Sequence, residues 1–115
     1  MAKIPDFTEN EVWTIQTTLN ERYGEEKELQ LAESEIRLST TDRELTVCPA
    51  VYWENGKCHF IIFKAGDSRY RCQFFYRIHQ QYGTSITEFD DLSECTVVLL
   101  QTQADHEIEH EKEVG

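Results

Sequence analysis

Two runs rich in β-branched and aromatic residues, 45–53 and 58–63, flank the dipeptide Asn55-Gly56. Such a dipeptide readily adopts the positive φ angles of a two-residue turn, which commits the chain to an antiparallel hairpin. With Glu54 opposite Lys57, the register pairs Trp53 with Cys58, Val51 with Phe60 and Cys48 with Phe63. Successive strand side chains alternate faces, so Cys48 and Cys58 point to opposite sides and make a poor disulfide pair. Pro49 donates no ladder hydrogen bond, which implies an exposed edge or a bulge at that point.

Residues 65–68 read as the next turn. In 69–78, strict alternation places Tyr70, Cys72, Phe74, Tyr76 and Ile78 on one face of a further strand. A helical stripe through Phe74, Phe75, Ile78 and Tyr82, ending at Gly83, competes with it, and the choice stays open by Gln80. The segment 25–38 fits a helix through Leu29, Ala32 and Ile36. It also fits extended structure with a bulge through Leu29, Leu31, Ile36 and Leu38, and we take the extended form.

Helices are expected at both ends. Thr8 and Glu11 have capping-box spacing, Phe7 and Val12 suit the accompanying staple, and Val12, Ile15 and Leu19 recur at helical intervals. Gly24 stands where a left-handed C-terminal cap belongs. This predicts a helix over 9–22. Asp91 and Glu94 repeat the capping spacing, and Leu92, Cys95, Leu99 and Thr102 predict a second helix from near Leu92. The expected fold is α+β: an N-terminal helix, a three- to four-stranded antiparallel meander and a C-terminal helix. With 115 residues this is one domain, 1–104, followed by an acidic, flexible tail over 105–115.

The tail contains the sharpest motif, His106-Glu107-Ile108-Glu109-His110, an HExxH match. On a helix its imidazoles lie one turn apart, placed for zinc, with Glu107 as base. A catalytic zinc also needs a third ligand and a shaped cleft, and an acidic tail supplies neither. A metal site at His106 and His110 is therefore a remote expectation. Cys48, Cys58, Cys72 and Cys95 lack the paired spacing of structural zinc sites, and buried free thiols are expected. No glycine-rich phosphate loop or GxSxG elbow is present. No cofactor is expected, and an enzyme is the less favoured reading.

Charge is patterned. The net charge is −11, yet 55–87 carries Lys57, Lys64, Arg69, Arg71 and Arg77 against Asp67 alone. This basic island is also rich in aromatic residues, a composition common at protein interfaces. The sequence therefore suggests a non-enzymatic protein-interaction module, an assembly factor, adaptor or regulator. Trp53, Arg69, Arg71, Phe75 and Arg77 would take an acidic segment of another protein. The same cations pairing with acids of their own domain is the plainer account. The alternative is an acidic inhibitor that mimics DNA, with acids from 9–44 and 88–111 on one continuous face. Direct nucleic-acid binding is disfavoured, because it needs excess Lys and Arg. No apolar run approaches the roughly 18 residues of a membrane helix. No secretory h-region is visible, so a soluble cytoplasmic protein is expected.

Overall fold

A computed structural model of the chain describes residues 4–36, 41, 43–66, 68–77, 80–83 and 88–114. Helix α1 (Glu9–Tyr23) is followed by strands β1 (Gln30–Ile36), β2 (Thr46–Asn55), β3 (Cys58–Gly66), β4 (Arg69–Arg77) and β5 (Gln80–Gly83), then helix α2 (Leu92–Val114). The strands form one antiparallel sheet in the order β1-β2-β3-β4-β5. This is the α+β fold expected, with five strands in place of three or four. The extra strand comes from the segment left open at Gln80, which resumes as β5 beside β4.

The ends of α1 follow its sequence signals. Thr8 N–H donates to Glu11 Oε1 at 2.7 Å, and Glu11 N–H donates to Thr8 Oγ1 at 3.1 Å. Gly24 closes the helix at φ 70°, its N–H donating to the Asn20 carbonyl, a conformation that is costly for residues with a Cβ. Gln16 Nε2 donates to the Lys27 carbonyl at 2.6 Å and fixes the path into β1. Asp91 Oδ1 accepts from Glu94 N–H at 3.1 Å and caps α2. Ahead of it, Phe89 and Tyr70 exchange two backbone hydrogen bonds of 2.8 Å, tying the α2 entrance to β4.

The hairpin forms with a different register. Asn55 pairs with Cys58, Trp53 with Phe60 and Val51 with Ile62, a shift of two residues from the expected pairs. Gly56 takes φ 64° and Lys57 does not take positive φ. The turn therefore places glycine at its first central position, where Asn55-Gly56 would have set glycine second. A shift of two preserves every side chain's face, so Cys48 and Cys58 still lie on opposite sides. Pro49 sits where β2 is paired with β1 alone, because the β2–β3 ladder starts only at Ala50. A residue without an N–H is tolerated there.

Both helices lie against one sheet face. Ile15 and Leu19 of α1, with Leu92, Cys95, Leu99 and Leu100 of α2, form one cluster with Val51, Trp53, Phe60, Ile62, Tyr70 and Phe74. Ile15 and Leu19 are fully buried, and burying a side chain of that size stabilises by about 1.5–3 kcal/mol. A smaller cluster of Cys48, Ala50 and Phe63, packed by Ile4, Ile36 and Ile61, lies on the other side. Among the described residues, no helix covers that opposite face and no helix is long and apolar enough to cross a membrane.

Candidate functional site

The helix-free face is set by strand parity. Because Trp53, Phe60 and Phe74 face the helices, Tyr52, His59, Arg71 and Phe75 face away. Three of these stack across β2, β3 and β4. The His59 ring centroid lies 5.0 Å from that of Phe75 at 15° between planes, and 5.9 Å from that of Tyr52 at 21°. The Tyr52 hydroxyl shares a 2.5 Å hydrogen bond with His59 Nδ1. The row is half-buried, mounted on the central strands of a sheet whose other side is packed. Its side chains are therefore held in place before any partner arrives.

The residues singled out in sequence separate. Arg71 and Phe75 share the helix-free face. Trp53 does not join them. It is only 1% exposed, stacked on Phe60 at 5.2 Å and 8° within the core. Its parity on β2 places it on the helix side of the sheet. Arg69 is exposed and its Nε lies 3.0 Å from Glu88 Oε1, while Arg71 Nε lies 3.2 Å from Glu88 Oε2. Arg77 ends β4, paired in register with Gln80, and its side chain lies outside the described residues.

Lys64, another member of the basic island, turns inward. It is 3% exposed; its Nζ lies 2.7 Å from Glu11 Oε1 and donates to the Asp6 carbonyl at 3.1 Å. The Tyr70 hydroxyl donates to Glu11 Oε2, and Phe7 stacks over Tyr70 at 6.4 Å. Burial alone would raise the Glu11 pKa. Hydrogen bonds from Lys64, Tyr70 and Thr8 outweigh that and hold it below its ordinary value. Three cations of the island thus meet carboxylates of their own chain. Of the acids, Glu11 and Glu88 are paired internally, Glu33 and Glu35 share the helix side of β1, and Glu54 lies on the opposite face.

The HExxH motif lies within α2, which continues through 105–114, the region expected to be a flexible tail. The His106 ring packs among Phe74, Tyr76 and Tyr82, with centroids 5.5, 5.7 and 4.4 Å away. It faces an aromatic cluster. The His110 side chain lies outside the described residues. Among the described residues, no group of three His, Cys, Asp or Glu side chains is placed to hold a metal ion.

Three of the four thiols, Cys48, Cys58 and Cys95, are poor nucleophiles. Burial pushes Cys58 up to about 11 and raises Cys48. A hydrogen bond with Cys72, then burial, raises Cys95. All three stay protonated at neutral pH, where a nucleophile must be thiolate. Tyr76, which accepts a hydrogen bond from Gln103 Nε2 at 3.0 Å, is pushed by burial up to about 12.

Sequence reasoning does not single out Tyr52 and His59; hairpin parity puts these two on one face, and the β3–β4 register, which brings Phe75 beside His59, is set by the fold. No family model, curated protein or solved structure matches the chain.

Proposed function

We propose that this chain is a non-enzymatic protein-interaction module that binds another protein through the helix-free face of its sheet. The observation that carries the reading is the one-sided packing: both helices cover one face, and the other presents the stacked row of Tyr52, His59 and Phe75 with Arg71 beside it. Aromatic residues and arginine are the types enriched where binding energy concentrates. A row already fixed by strand pairing loses little side-chain freedom on docking. An acidic segment on the partner is supported by Arg71, which can exchange Glu88 for a partner carboxylate, and by Lys57, exposed in the β2–β3 turn. The net charge of −11 works against nucleic acid as the partner. Four free thiols suit a reducing compartment, which supports the cytoplasm.

The test is affinity purification from the native host, with wild type and Phe75→Ala as parallel baits. The reading expects a stoichiometric partner whose recovery falls about ten-fold or more with Phe75→Ala, the effect of removing an interface anchor. That partner should slow amide exchange in β2, β3 and β4. Equal recovery by both baits, or protection confined to the helices, contradicts it.

A further inference from the structure

Strand β1 ends the sheet, and among the described residues nothing pairs with its outer edge. An unpaired edge offers backbone donors and acceptors to any extended chain that can lie beside it. Its helix-side positions are Leu31, Glu33 and Glu35, each exposed, with Leu31 at 65%. The neighbouring Val47 on β2 is 46% exposed. Between β1 and the segment before α1 lies a groove of about 450 Å3. Leu31, Pro49 and Phe7 give it apolar walls, and Asp6 and Glu33 stand at its rim.

We propose that β1 takes a sixth strand, an extended basic segment of a partner protein, added along this edge. Charge complementarity selects the occupant. In an antiparallel addition, residues directly opposite share a face. The fitting segment then carries Lys or Arg opposite Glu35 and Glu33, followed by an apolar residue opposite Leu31 at the mouth of the groove. On the other face it meets Gln30, Ala32, Ser34 and Ile36, which suit small or β-branched residues. A second copy of this chain is a poorer fit: in the fully overlapped antiparallel register Glu33 faces its own counterpart, and like charges directly opposite are destabilising. The surface is separate from the Tyr52, His59 and Phe75 row, so the two stand or fall independently.

The test uses the full chain, isotopically labelled, titrated with the heptapeptide Thr-Lys-Thr-Lys-Thr-Leu-Thr and with its analogue in which both lysines are glutamate. The expected result is saturable shifts and slowed exchange of the 30–36 amides with the lysine peptide. Binding of the glutamate analogue should be weaker by about ten-fold or more, as two opposite-charge pairs become like-charge pairs. Glu33→Lys with Glu35→Lys should reverse that order, and Phe75→Ala should leave it unchanged. Equal binding of both peptides, perturbation away from β1, or concentration-dependent shifts of the 30–36 amides without peptide would overturn the proposal. The peptide charge swap on the unaltered chain decides the matter even if the double variant does not fold.

Discussion

Glu11 has two jobs whose partners come from opposite ends of the sequence scale. Its bond to Thr8 is three residues long and was legible as a capping box. Its contacts with Lys64 and Tyr70 span 53 and 59 residues, so no local pattern announces them. Lys64 accordingly reads in sequence as one more surface cation, although the fold buries it. Removing one member of a buried pair leaves the other charged and unmatched, which typically costs about 3–5 kcal/mol. We expect Glu11→Gln to lose about 3 kcal/mol at pH 7, with Lys64→Met added to it restoring part of the loss. The pH dependence follows from the lowered Glu11 pKa. Between the folded and the ordinary value the unfolded chain binds the extra proton, so this stabilisation is complete above the ordinary carboxylate range. It disappears as pH falls through the folded value. Urea denaturation from pH 7 down to pH 3 should therefore show a shallower acid limb for Glu11→Gln than for wild type. Parallel limbs would mean that Glu11 is not the group responsible.

Elements were legible to the extent that their signals are local. Helix α1 came from a cap, a periodic stripe and a terminal glycine lying within a few turns of one another. The faces of β2, β3 and β4 came from alternation, which survived the two-residue register shift. The far end of α2 was not legible, because the ring contact that the described residues show there, at His106, joins segments far apart in sequence. Residues 105–114 are mostly charged, and only the fold reveals that His106 meets Phe74, Tyr76 and Tyr82. Packing of this kind is worth about 1 kcal/mol. We expect His106→Ala to accelerate amide exchange in α2 beyond Gln103 by about five-fold or more, while residues 92–100 keep their protection. Hydrogen exchange read by NMR checks this. Exchange in 104–108 already as fast in wild type as in the variant would show that the ring does not hold the helix there.

At the scale of the whole molecule, the charge pattern and the fold divide differently from what composition suggests. The basic island is contiguous in sequence and dispersed in space: Lys64 enters the interior, and Arg69 and Arg71 converge on Glu88 from a segment 17 residues away from Arg71. Ion pairing of this sort depends on tertiary approach, which net charge per segment does not encode. Trp53 was misplaced for a related reason. Alternation puts it on the face of Val51, and the fold packs that face under the helices. What remains of the candidate surface is the face defined by parity, with Phe75 on it and Phe74 behind it. These two adjacent phenylalanines give the most direct test, by urea denaturation of Phe74→Ala and Phe75→Ala side by side. A one-sided sheet predicts a loss of about 3–5 kcal/mol for Phe74→Ala, which empties a core position. It predicts a loss of about 1 kcal/mol or less for Phe75→Ala, which gives up one stacked contact on the helix-free face. Equal losses would contradict it, since the face carrying Tyr52, His59 and Phe75 would then be interior and unavailable to a partner.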